Sequence, residues 1–296
     1  MQAQSPSIRI RRKKSRLRSL AGFLAKVFRP KSAKAGLAIL IALVLMVVLG
    51  TAFIPFSPYQ NTPQPNHPPS STHLFGTDFQ GRDVLSEVVW GAYPSLSVSI
   101  YAALGATLLG FFVGILSGYY QKLYPTVGGA TDVVMAIPLF PLLILLGLIL
   151  ISNASLIGIV LIAVLWAPVA RSVRSQVQSV KKLAFVDSAK TSGLGDLQIV
   201  FKVMVYEVAP LAIAYFITNV SLNIVLVTAL QFIGMGNPLL VSWGTILYWA
   251  QQYGFNAGDW WWILFPGLII SLTTTGFGLI GFSIEEIANP RLRSSS

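Results

Sequence analysis

Cysteine is absent from this sequence, and histidine occurs only twice. Without thiols there is no disulfide, no thiol nucleophile and no thiolate metal site, although the absence fixes no redox compartment. Both histidines, His67 and His73, stand in one Pro- and Ser-rich stretch with no acid cluster beside them, a poor ligand set for a metal ion. No Gly-x-x-x-x-Gly-Lys-Ser/Thr run occurs, so the chain offers no phosphate loop for ATP. Charge is the third scarcity: Asp, Glu, Lys and Arg make up 10% of the residues, against about a quarter in a water-soluble domain. Proton- and ion-coupled transporters need ionisable groups at membrane depth. Here only Asp132 comes near, at the edge of an apolar block. No catalytic residue and no cofactor is assigned to this chain, and the energy for any transport has to come from outside it.

What the chain has in abundance is apolar length. Hydrophobic residues are 54% of the total, and mean hydropathy is +0.69. The runs 35–56, 88–121, 133–170, 208–258 and 260–284 hold no Asp, Glu, Lys or Arg. A bilayer-spanning helix takes roughly 17–25 mainly apolar residues. The sequence therefore predicts an all-α integral membrane protein with six transmembrane helices, at about 36–56, 94–118, 130–151, 154–171, 208–233 and 261–283. The block 133–170 divides at the polar turn Ser152-Asn153-Ala154-Ser155. Pro138 and Pro141 lack backbone donors and must kink or break the third helix. The stretch from Gly234 to Gly258 is too punctuated by Gly, Pro and Asn to make a clean span.

Lys and Arg set the orientation. Residues 1–34 hold eleven of them and no acid, and 171–206 hold six, whereas 57–93 has only Arg82 and 234–259 has none. The positive-inside bias puts both termini, the 119–129 turn and the 171–207 loop in the cytoplasm. The chain is thus expected to be a multi-pass cell-membrane protein. Its parts would be a basic cytoplasmic segment 1–34, a first span and outer connection 35–93, a core 94–284 containing a cytoplasmic loop 172–206, and a tail 285–296. The basic cluster Arg9, Arg11, Arg12, Lys13, Lys14, Arg16 and Arg18 fits anionic lipid headgroups better than nucleic acid. The apolar run that follows is longer than the ~7–15 residues of a signal-peptide core.

Within the spans, Gly110, Gly114 and Gly118 share one helix face and predict close helix packing. Asn219 and Asn223 stand one turn apart, and their amides need either a neighbouring helix or a wet pathway. Both readings stay open from the sequence. Trp260, Trp261 and Trp262 read as an aromatic belt at the outer interface.

Several ordered motifs carry a family resemblance. Phe75-Gly76-Thr77-Asp78, Gly81-Arg82-Asp83-Val84-Leu85-Ser86, Gly91-Ala92 and Ser95-Leu96 lie at the outer side. Asp132-Val133 with Ala136-Ile137-Pro138 follows, then Phe232-Ile233-Gly234-Met235-Gly236, Ser242-Trp243-Gly244, Leu279-Ile280-Gly281 and Asn289-Pro290-Arg291. Taken in order, these runs resemble the permeases of dipeptide/oligopeptide-type ABC importers, in particular their C-type subunit. The polar interruption between the fourth and fifth spans is similar to that family's Glu-Ala-Ala-x3-Gly loop. Here it reads Asp187-Ser188-Ala189-x3-Gly193, with Phe185-Val186 before it and Asp196-Leu197 after it. Small residues at 188 and 189 allow close seating, Gly193 lets the chain turn between two short helices, and Asp187, Lys190 and Lys202 can fix register on a partner.

The resemblance implies a type I ABC importer permease fold with ATPase-coupling residues Phe185, Asp187, Ser188, Ala189, Lys190, Gly193 and Asp196. It also implies an outer motif of Gly76, Thr77, Asp78, Gly81, Arg82 and Asp83 near a binding protein, and a translocation path in which Asn219 and Asn223 take part. The implied partners are a homologous second permease, two ATP-binding subunits that use ATP and Mg, and an extracytoplasmic substrate-binding protein, all within membrane lipid. Peptides are the expected cargo, oligosaccharides the alternative, and nickel is less favoured because the spans hold no His, Cys or acid. A nucleotide-independent transporter or a membrane scaffold is the alternative of another class.

Overall fold

The computed structural model describes residues 26–149, 154–254 and 258–288. The basic cluster 9–18, the Ser152-Asn153 turn and Asn289-Pro290-Arg291 lie outside them. Ten α-helices are described. In chain order they are α1 Lys31–Phe53, α2 Val84–Tyr119, α3 Tyr124–Ala136, α4 Leu139–Ile149, α5 Ala154–Val180, α6 Ala184–Thr191, α7 Asp196–Ile199, α8 Val205–Phe232, α9 Trp243–Trp249 and α10 Trp260–Ala288. A π-helical turn, Val200–Met204, joins α7 to α8, and a second, Ala250–Gly254, follows α9.

Among the described residues, five helical stretches are long and apolar enough to cross a membrane, and there is a sixth if the α3–α4 pair counts as one span. That pair is bent by 81°. The break falls at Ile137-Pro138, where Ile137 is extended, as the residue before a proline prefers.

Several ends differ from the expected ones. The second span begins at Val84, not near 94: Asp83 caps it, and Pro94 sits inside the helix. The fourth runs past 171 to Val180. Absence of charge marks where hydrocarbon ends, and a helix can continue beyond it. On α5 the extension is tied to α3 by an Arg171–Asp132 ion pair and by Arg174 lying 4.7 Å over the Tyr124 ring. The fifth span is continuous through the π turn from Asp196 to Phe232.

Small residues set the helix crossings. A Cβ at Gly114 would lie 2.7 Å from both the Ala170 carbonyl oxygen and Val173 Cβ, so α2 and α5 touch almost backbone to backbone. Gly110 and Gly118 meet Val169 and Val177 in the same way, as the four-residue spacing predicts. At the other side of the molecule Gly36 of α1 crosses Gly276 of α10. The remaining face of α1 is open, with Val44, Val48 and Phe53 exposed, as suits a helix against lipid.

Candidate functional site

The segment between α5 and α8 is built as two short helices about a glycine. Leu183 is extended and starts α6. Val186 is fully buried and pins that helix to Val180, Ile199 and Met204. On the other side Leu183, Phe185 and Leu197 are exposed, Leu197 by 64%, alongside exposed Asp187, Ser188 and Lys190. Gly193 has φ +84°, the left-handed conformation that ends a helix at least cost in glycine. The Gly193 N–H donates to Lys190 O at 2.9 Å and the Leu194 N–H to Ala189 O at 3.2 Å, closing the helix end. The structure thus brings Phe185, Asp187, Ser188, Ala189, Lys190, Gly193 and Asp196 into one helix–turn–helix unit. Asp196 differs from the rest of this set, because its carboxylate turns back to accept the Tyr119 hydroxyl at 2.6 Å.

At the opposite end, the outer motif is a folded knot. Thr77 is fully buried; its hydroxyl donates to Gln64 O at 2.6 Å and accepts from the His67 N–H at 2.8 Å. Gly76 and Gly81 both have positive φ, and a side chain at Gly76 would run into Trp261. Asp78 accepts the backbone N–H of Gln80 at 2.8 Å and of Arg82 at 2.7 Å. Burial pushes its pKa above the usual carboxylate value despite these donors. Asp83 accepts from Ser86 N–H and Oγ, both at 2.8 Å, and its other oxygen lies 2.9 Å from His73 Nδ1. Arg82 reaches Asn61 at 3.4 Å.

Aromatic rings fasten the knot to the helices. Phe75 stacks on Phe265 at 4.0 Å, and Phe79 on Tyr253 at 4.3 Å. The belt reading fails for two of the three tryptophans, and Trp260 alone of them is exposed. Trp261 and Trp262 are buried, and Trp261 Nε1 donates to Thr77 O at 3.2 Å. Three adjacent tryptophans on one helix cannot all face one interface. The His73–Asp83 pair escaped the sequence reading because the two residues are joined through a loop and share no motif. Among the described residues no group of three or more His, Asp or Glu could hold a metal ion.

Asn219 and Asn223 are buried against α2. Asn219 Nδ2 donates to Thr107 Oγ1 at 3.3 Å and Asn223 Nδ2 to Ser99 O at 3.4 Å, so both amides meet a neighbouring helix. Asn223 is wholly inaccessible, and its side-chain oxygen has no hydrogen-bond partner among the described residues.

The described residues form a bundle of long apolar helices with a folded knot at one end and a helix–turn–helix at the other, and the family match makes the chain a membrane transport component. The chain belongs to the binding-protein-dependent transport system inner membrane components, whose family model matches residues 106–294. The model for the N-terminal transmembrane domain of oligopeptide transport permease C matches residues 20–69. Among curated relatives, the dipeptide transport system permease protein of Bacillus subtilis is 32% identical, covering 89% of this chain and 83% of its own. The oligopeptide transport system permease protein of Haemophilus influenzae is 32% identical over 90% of this chain and 87% of its own. The glutathione transport system permease protein of Pectobacterium atrosepticum is 29% identical over 77% and 76%.

Proposed function

We propose that this chain is the C-type permease subunit of an ATP-driven importer of dipeptides and oligopeptides, with the α6–Gly193–α7 unit as its ATPase-docking element. The observation that carries the reading is the surface of that unit. Leu183, Phe185 and Leu197 stay exposed on a short, internally anchored helix pair, in a sequence that resembles the family's coupling loop. Apolar side chains held rigidly at a polar end suit a groove on a partner. The partners would be a second, homologous permease completing the path, two ATP-binding subunits that hold ATP and Mg, and a binding protein at the outer knot. Both termini and the docking unit then face the cytoplasm, in keeping with the Lys and Arg bias.

Closure of the ATPases would move α6. The motion passes to α5 through residues 181–183 and to α8 through α7 and the π turn, a helix form frequent at functional positions. In this scheme Asn219 and Asn223 belong to the α2–α8 contact that adjusts as access switches. Peptide cargo is supported by the names of the relatives, and the oligosaccharide alternative gains nothing from them.

Purification from membranes in mild detergent, comparing wild type with a Gly193→Pro/Asp187→Arg variant, tests the reading. ATPase subunits should accompany wild type and be missing from the variant at equal permease yield. A well-folded wild type that brings no ATPase in any of several detergents would sink the importer reading.

A further inference from the structure

The docking unit is joined by the chain to α5 and α8 but not to α2, the helix that α5 packs against most intimately. Phe111 and Ile115 of α2 share an apolar cluster with Val186 and Ile199, and one cluster of polar contacts adds a directional link. Tyr119 is the last residue of α2 and is buried to 3% exposure. Its hydroxyl donates to Asp196 Oδ1 at 2.6 Å, on the first residue of α7. A short O–H bond to a carboxylate is roughly twice as strong as a neutral one. From the third side Lys181, just past the end of α5, donates Nζ to the Tyr119 carbonyl at 2.7 Å. The same ammonium lies 4.9 Å over the Tyr119 ring. That carbonyl is among the last four of α2, which lack intrahelical donors, and a cation there also meets the negative end of the helix dipole. The ends of α2, α5 and α7 therefore converge on one tyrosine.

We infer that Tyr119 is a positioning residue for coupling. Its bond to Asp196 makes α2 travel with the docking unit, so that a displacement delivered at α6 reaches α2 and α8 together. The inference rests on the docking role proposed above and adds to it the route by which α2 is engaged. The unit has apolar anchors of its own in Val186 and Ile199, both fully buried. Removal of one hydroxyl leaves those anchors intact, so the unit stays folded and can still seat on an ATPase. What is lost is the directional bond from α2 to α7, while the Lys181 contact and the apolar packing stay.

The test uses the whole complex in lipid nanodiscs, with cysteine-free partner subunits. Because this chain has no cysteine of its own, a Leu104→Cys/Thr191→Cys pair places one spin label on an exposed position of α2 and one on an exposed position of α6 outside the coupling set. Pulsed electron resonance reads the distance between them without nucleotide and after trapping with ATP and vanadate. Wild type should give one narrow distance in both states. So should Asp196→Asn, whose amide oxygen still accepts the phenol. Tyr119→Phe should trap nucleotide as wild type does, yet gain a second, longer distance in the trapped state, and Asp196→Ala should show the same second distance. The Tyr119→Phe/Asp196→Ala double variant should be no worse than either single change, because one bond is removed in each. A Tyr119→Phe complex that keeps the wild-type distance in both states overturns the inference. Loss of ATPase subunits from that variant alone also overturns it, since the bond would then serve seating. Failure of wild type to bring ATPase subunits at all is the separate failure of the docking reading.

Discussion

Asp83 divides its two carboxylate oxygens between a helix and a loop. One caps α2 through the Ser86 N–H and hydroxyl, and the other holds His73, which is 4% exposed. Losing an N-cap costs about 0.5–2 kcal/mol, and leaving a buried polar group unpaired costs about 1–3 kcal/mol. Asp83→Ala should therefore lower the thermal midpoint of detergent-solubilised protein clearly, while Asp83→Asn, which keeps an acceptor for the cap, should lose less. Unfolding followed by tryptophan fluorescence reads this directly, and equal midpoints for Ala and wild type would show the pairing to be incidental. The outer motif was legible in the sequence as a motif, including both glycines that adopt positive φ. Its purpose was not, because the partners of Thr77, Asp83 and Trp261 come from distant positions. Neither Gln64 nor Thr77 looks special alone; the bond between them is a property of the folded loop.

Along the helices, the pattern that read most faithfully was the small-residue ladder of α2. Gly110, Gly114 and Gly118 were expected to pack, and each faces α5 with no room for a Cβ. Gly114→Ala should push α2 away from α5 and cost about 1–3 kcal/mol, the usual price of overpacking. Gly267→Ala on α10, where a Cβ meets nothing within 4 Å, is the matched control and should be neutral or slightly stabilising, since alanine favours helix. The fraction of each variant that stays monodisperse after brief heating in detergent separates them; parity would mean that the α2–α5 contact yields easily. Helix ends were less legible than helix faces. The expected start of the second span near 94 passed over the local cap that Asp83 makes to the Ser86 N–H, because an uncharged run marks hydrocarbon and not the helix end. Likewise the extension of α5 to Val180 buries Val173, Val177 and Val180 in a cluster with α2, and Arg171 and Arg174 reach Asp132 and Tyr124 of α3 beside it. The broken third span could be read from Pro138 alone, since a missing backbone donor is a local property.

For the whole molecule, the distribution of Lys and Arg supports the proposed orientation, in which the knot lies outside and the proposed docking unit in the cytoplasm. This assignment also decides whether the exposed leucines and phenylalanine of the docking unit can meet ATPases at all. The lack of cysteine makes the chain its own background for testing it. Gln64→Cys lies on an exposed side chain of the outer connection, and Gln198→Cys on an exposed side chain of α7. A membrane-impermeant maleimide applied to intact cells with a permeable outer barrier should label position 64 and spare position 198. In inverted inner-membrane vesicles the pattern should reverse. The reverse pattern in cells would invert the protein and exclude docking at α6, however well its shape suits a groove. Labelling as expected leaves one further consequence. Position 198 should become protected when ATPase subunits are co-expressed, because Leu197, the neighbouring exposed apolar residue, would then lie under the partner. Continued labelling at 198 within an assembled complex would move the contact away from α7 and on to α6 alone.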